Sequence, residues 1–203
     1  MPRKRRDQVI LDTLEQLLVE CALSDLSVRQ IADAAGITRT RFYHYYGSKQ
    51  IAFAALLRRT ADDAFAAVQT TGTWFERPTS QRPREALDAT LRQGALVWFD
   101  HQSVLREAPD LWNAVTEVRD IWHRIWGDLT ANVAAAIRRE RDFGIAPPGA
   151  DADQIAKALM WGGERLQFVS AIGAPGALDP GAFAEMSLDI WMRVIYCADD
   201  PDP

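Results

Sequence analysis

Residues 36–50 read GITRTRFYHYYGSKQ, which interleaves two arginines, a histidine and a lysine with three tyrosines. Arginine makes bidentate contacts with guanine, threonine meets a thymine methyl or a base edge, and tyrosine hydroxyls bind phosphate. If Phe42 and Tyr46, four apart, turn inward with Ile37, then Arg39, Thr40, Arg41, Tyr43 and His44 lie on the outer surface of a short helix. That set suits contact with DNA. A merely solvated polar face is the plain alternative, but it does not require those groups to be concentrated on so few residues.

Catalytic patterns are thin by comparison. Asp120-x-x-His123 puts a carboxylate and an imidazole on one helical face, the spacing of di-metal carboxylate bundles, but no second pair accompanies it. Solvated surface is the better reading. There is no G-x-S-x-G, no phosphate-cradling glycine loop and no cysteine–histidine arrangement. The expectation is a non-enzyme with no cofactor and no metal ligand. Cys21 and Cys197 lie far apart with no metal spacing around either, and read as buried thiols.

The elements that must position the DNA-facing set follow from local signals. Ile10, Leu14, Leu17, Leu18 and Cys21 recur at helical spacing and form one face of a first helix. Ser27-x-x-Gln30 is a capping box that opens a second helix from Val28 to about Ala35, and Gly36 ends it. Thr38 caps a third, through about Tyr45, and Ser48 a fourth, from Lys49 to about Thr71. In the second and third, Ala32, Gly36 and Phe42 supply a small residue at a close approach, a tight turn and an apolar plug. This is the logic of a helix-turn-helix, whose second helix enters the major groove.

Beyond the fourth helix, TGTWFERPTSQRP is a proline-bearing break. Helices are expected at about 83–101, 103–108 and 111–143, the last stopped by FGIAPPGA. Asp151-x-x-Gln154 opens another to about Ile172, and Asp179 with Pro180 opens the last, to about Cys197. The fold expected is all-α with about nine helices. Residues 1–48 form a helix-turn-helix domain, residues 49–203 a helical-bundle domain for ligand binding and dimerisation, and helix 49–71 connects them.

Charge divides the same way. Residues 1–60 carry ten Lys and Arg against six Asp and Glu, a net of +4, and the remainder carries 13 against 22, a net of −9. A basic N-terminal reader joined to an acidic module fits this. No apolar run approaches the roughly 18 residues of a membrane span, so a cytoplasmic, unprocessed protein without membrane contact is expected.

The stretch SVRQIADAAGITRTRFYHYYGSKQIAFAALL resembles the signature of the TetR family of transcriptional regulators, over roughly residues 7–60. The resemblance implies that Thr38, Arg39, Thr40, Arg41, Tyr43 and His44 face DNA, that Arg29 and Lys49 anchor phosphates, and that Arg3 to Arg6 form a basic arm. Gly47 departs from the family, which most often has proline there. DIWHRIWGDLTANVAAAIRRERDFGIAP, ALMWGGERLQF and LDIWMRVIY are similar to the EthR type, whose core is an aromatic-lined tunnel. Carried over by position, the resemblance implies a pocket of Trp98, Trp122, Trp126, Leu129, Met160, Gly163 and Phe168, with Trp191 near its end. Met160 and Gly163 stand where that type has asparagines, which implies a more apolar or differently bound ligand.

The residues themselves leave this partly open. All seven tryptophans follow residue 73, and such a concentration either lines a cavity or fills a core. Ile155, Leu159, Leu166 and Val169 on one helix, and Phe183, Met186, Ile190 and Val194 on another, leave broad apolar faces. A two-fold pairing of the last two helices into a four-helix interface would match a palindromic operator, and burial within one subunit is the alternative. The function expected is a homodimeric repressor released from double-stranded operator DNA by a small, largely apolar effector. A constitutive or architectural DNA binder, and an all-helical enzyme or carrier, remain as alternatives.

Overall fold

A computed structural model of the chain describes residues 6–69, 74–199 and 201. The basic arm lies outside them at Arg3, Lys4 and Arg5, as do residues 70 and 71 at the expected end of the fourth helix. The described residues form ten α-helices and two short 3-10 turns, with no strand. They divide between two compact units, Met1–Asp62 with His101–His123, and Asp63–Asp100 with Arg124–Pro203. These units do not follow a linear boundary after residue 48.

The first unit contains α1 (Arg6–Glu20), a 3-10 turn (Leu23–Asp25), α2 (Val28–Ala34), α3 (Arg39–Tyr45) and the first part of α4 (Lys49–Gln69). It also contains α6 (Gln102–Leu105), α7 (Ala108–Leu111) and the start of α8 (Thr116–Asp142). Ile10, Leu14 and Leu18 of α1 are fully buried with Ile31, Phe42, Phe53, Leu56 and Leu57, while Leu17 and Cys21 are half-buried. On the polar side of α1, Arg59 donates to Asp12 at 2.7 Å and to Glu15 at 2.8 Å, and His101 Nδ1 lies 3.3 Å from Glu15. Arg106 donates to the Leu18 carbonyl at 2.7 Å, so α6 and its flanks secure the end of α1.

Where one helix over 103–108 is expected, two short ones form. Pro109 has no N–H to continue the i→i−4 ladder, but it fits the first turn of a new helix. The chain then turns again at residues 112–115, so α8 starts at Thr116 rather than near Leu111.

The second unit is built on α5 (Pro83–Asp100), most of α8, α9 (Ala152–Ala171) and α10 (Pro180–Tyr196). Arg84 pairs with Asp189 and Arg92 with Glu185, which sets α5 and α10 antiparallel. Arg138 with Asp153 and Trp126 with Trp161 do the same for α8 and α9. Caps fix the starts: Asp151 accepts from the Gln154 amide at 3.0 Å and Asp179 from the Ala182 amide at 2.9 Å. One core joins Trp74, Leu87, Val133, Ile137, Ile155, Leu159, Trp191, Met192 and Ile195, and a smaller one joins Ala95, Phe183 and Ala184.

This unit buries an ion pair. Glu140 Oε2 meets Arg77 at 2.5 Å and accepts from the Tyr196 hydroxyl at 3.0 Å, and Oε1 takes Arg77 at 3.1 Å and Arg139 at 3.0 Å. Tyr196 in turn accepts from the Trp74 indole at 2.7 Å. Burial, before the Glu140 charge, pushes the Tyr196 hydroxyl far above its ordinary pKa. Arg77 comes from the stretch that reads as a break in the sequence.

Two expectations are corrected. Cys197 is exposed, not buried, because it takes the left-handed cap of α10 with φ 55°. Ile155, Leu159 and Phe183, placed on broad outward faces, are buried in their own subunit, whereas Leu166, Ile190 and Val194 are exposed.

Candidate DNA-binding and ligand sites

The turn before α3 is closed at both ends by its own backbone. Gly36, at φ 65°, donates to the Asp33 carbonyl at 3.1 Å, and Ile37 donates to the Ala32 carbonyl at 3.0 Å, the two bonds of a Schellman motif. A side chain at Gly36 would strain that left-handed backbone. The Ser27–Gln30 capping box forms in both directions, at 3.2 Å and 2.9 Å. Thr38 then caps α3 by accepting from the Arg41 amide at 3.2 Å.

Phe42 is the anchor of α3: it is fully buried, its ring meets those of Tyr43 and Tyr46 at about 6 Å, and burial of such a side chain stabilises by about 1.5–3 kcal/mol. With that ring fixed, Thr38, Arg39, Thr40, Arg41, Tyr43 and His44 are all exposed. Tyr43 keeps 47% of its surface in solvent. No acidic residue occurs between Asp33 and Asp62, so nothing within that stretch competes for the arginines. Arg29 is exposed one helix away and pairs with Asp33 at 3.5 Å.

Lys49 is occupied differently from the phosphate anchor that the resemblance implies. Its ammonium donates to the carbonyls of Leu23 at 2.7 Å, Ser24 at 2.9 Å and Leu26 at 2.6 Å. An ammonium has three donors, so all are committed to the turn between α1 and α2. Glu107 closes the other side of that turn by accepting from the Leu23 amide at 2.9 Å, and burial raises its pKa although that hydrogen bond lowers it. Lys49 and Glu107 thus hold the backbone that leads into the helix-turn-helix. Neither role is legible from spacing, because each partner lies at least 23 residues away.

In the second unit the expected pocket residues separate into groups. The rings of Trp98 and Trp126 meet at 6.2 Å, and Trp126 stacks on Trp161 at 5.6 Å, a residue that the resemblance does not bring in. Gly163 faces Phe183, whose Cζ lies 3.7 Å from where a Cβ would be. Leu129 and Met160 are half-buried, and Met160 packs on the main core. Phe168 lies under the Arg165 guanidinium at 4.9 Å. Trp191 packs edge-on to Trp74 at 6.0 Å within the main core. Trp122 is fully buried but belongs to the first unit, which ends at the next residue, His123. Asp120 and His123 are both exposed, and the His123 ring packs against Trp112 at 5.6 Å.

Residues 10–56 match the family described as "Bacterial regulatory proteins, tetR family", and residues 87–197 match "Transcriptional regulator EthR, C-terminal domain". The chain belongs to the TetR family, of the EthR type. It is 33% identical over 195 residues to the HTH-type transcriptional regulator EthR of Mycobacterium tuberculosis, covering 94% of this chain and 87% of that protein. The EthR of Mycolicibacterium smegmatis is 25% identical over the same length. Among solved structures, a putative transcriptional regulator from Saccharomonospora viridis in complex with choline superposes with a TM-score of 0.75 at 19% identity, covering 97% of this chain and 98% of that one. SmeT, the repressor of the Stenotrophomonas maltophilia multidrug efflux pump SmeDEF, gives 0.71 at 19% identity, over 94% and 90%. These two establish shared fold alone. As a TetR-family member the protein is a DNA-binding transcriptional regulator rather than an enzyme. No helix among the described residues is long and apolar enough to cross a membrane.

Proposed function

We propose that the protein acts as a homodimeric repressor, released from a palindromic operator when a small effector binds its second unit. The observation that carries this reading is the exposed row Arg39, Thr40, Arg41, Tyr43 and His44 on a helix held from behind by Phe42. Arg39 and Arg41 supply bidentate readout of guanine, Thr40 a contact to thymine, and Thr38, Tyr43, His44 and Arg29 contacts to the backbone. Lys49 supports the turn instead of touching phosphate.

Ile190 and Val194, exposed four apart on α10, and Leu166 on α9 form the apolar surface that pairs with a second copy. The effector sits among Trp98, Trp126, Leu129, Met160, Gly163 and Phe168. Coupling follows the helices that both units share: α4 belongs to the first unit up to Asp62 and α8 up to His123. An effector that prefers one state by a few kcal/mol suffices to change the separation of the two recognition helices. The half-sites they must reach lie about 34–36 Å apart.

Selection of bound sequences from random double-stranded DNA, followed by titration of apolar compounds into the complex, tests the reading. A palindromic site with half-sites about one turn apart, and a compound that lowers affinity for it, are expected. Selection of no sequence, or affinity that no bound compound alters, would contradict it.

A further inference from the structure

The stretch between Asp25 and Asp62 carries six Lys and Arg and a single acid, Asp33. Asp33 lies in the last turn of α2, and its carbonyl takes the Gly36 amide where the chain turns towards α3. Its side chain is 67% exposed and meets Nε of Arg29, itself 78% exposed, at 3.5 Å across one helical turn. Thr38, Arg39, Thr40 and Arg41 follow directly after the turn, all exposed.

Stability does not account for this carboxylate. An exposed ion pair one turn apart adds little, and the order found here, cation before anion, is the weaker of the two. A negative charge in the last turn is also set against the helix dipole, at a cost of similar size. α2 has no basic residue in that turn to offset it. The two effects nearly cancel, so the consequence of Asp33 falls on its partner and on whatever that partner approaches.

On DNA the two side chains act in opposite directions. Arg29 released to a phosphate displaces a condensed counterion, whereas Arg29 held by Asp33 is a neutral pair that displaces none. Phosphates are alike in every sequence, so an unpaired Arg29 would strengthen binding to any duplex. We propose that Asp33 is a specificity-determining residue. On DNA that α3 does not read, it keeps Arg29 paired; on the operator, base contacts from α3 fix the register in which a phosphate replaces the carboxylate. The proposal rests on the reading of α3 and Arg29 given above and deepens it. Asp33 lowers affinity for bulk DNA and leaves operator affinity nearly untouched, which widens the ratio between them.

Anisotropy titrations of the full-length protein on the selected operator and on a random duplex of equal length, over a range of salt, test this. Asp33→Asn is expected to tighten binding to the random duplex by about three- to tenfold, with operator affinity within about twofold of wild type. The salt dependence on the random duplex should steepen by about one phosphate. Tightening on both duplexes alike, or on neither, would overturn the proposal. Arg29→Ala carries the test without touching Asp33: it should weaken the operator by at least about threefold and leave the random duplex within about twofold. Equal losses on the two duplexes would overturn the proposal as well. Should Arg39→Ala/Arg41→Ala lose the operator while Asp33→Asn changes neither affinity, the α3 reading survives and the Asp33 assignment fails. Should none of these variants alter DNA binding, both fail.

Discussion

In the first unit Arg39, Arg41, Tyr43 and His44 stand in solvent on a helix held from behind, whereas in the second unit the carboxyls of Glu140 and Glu164 are turned inward. Exposed cations keep their charge at little cost and remain available to a large polyanion. A buried carboxylate has to be paired or protonated. The contrast separates architecture from function inside each unit as well. Arg41 and Lys49 lie eight residues apart, yet one stands exposed in solvent and the other is spent on three carbonyls. Glu140 and Glu164 are both buried, yet one accepts through both oxygens and the other meets Nε of Arg165 at 4.0 Å.

Arg77→Ala is the harshest test of this distinction. It removes the main partner of a fully buried Glu140 and should destabilise the second unit by about 3–5 kcal/mol in urea unfolding. A loss under about 1 kcal/mol would mean that the pair is not architectural. Phe42→Ala acts on the other unit, with about 3–5 kcal/mol lost as the plug behind α3 is removed. DNA binding should disappear while the Trp74-centred core of the second unit keeps its near-ultraviolet circular dichroism. Lys49→Met should cost about 1–3 kcal/mol through the carbonyls it strands, with the salt dependence of DNA binding unchanged. A slope reduced by about one phosphate at unaltered stability would return Lys49 to the DNA.

The smallest effect belongs to Glu164→Gln. The pKa of Glu164 is raised in the folded state, so wild-type stability falls as pH rises from the ordinary carboxylate range through that raised value. The variant, which cannot ionise, should therefore melt higher than wild type at neutral pH, and the difference should vanish in acid. A wild type that melts higher than the variant at neutral pH would show that the ion pair with Arg165 outweighs the cost of burying Glu164.

The same contrast explains what the sequence discloses. The recognition region is legible because its signals are local: Ser27 and Gln30 close a box across three residues, Gly36 closes a turn, and Phe42 follows at a fixed step. The second unit's chemistry depends on residues that meet only after folding. Arg77 reads as part of a proline-bearing break yet pairs with Glu140, 63 positions away. Glu164 resembles any charged residue on a helix, and nothing in its spacing shows that folding buries it. The tryptophan pattern was visible as a concentration. It could not say that Trp98, Trp126 and Trp161 pack together while Trp191 joins the main core.

The central claim, that the exposed row of α3 reads DNA, is tested most directly by fluorescence anisotropy of a selected operator with wild type and Arg39→Ala/Arg41→Ala. Each guanine contact is worth about 1–3 kcal/mol, so the double variant should bind at least about a hundredfold more weakly, with melting temperature and oligomeric state unchanged. Affinity within about twofold of wild type would contradict the account.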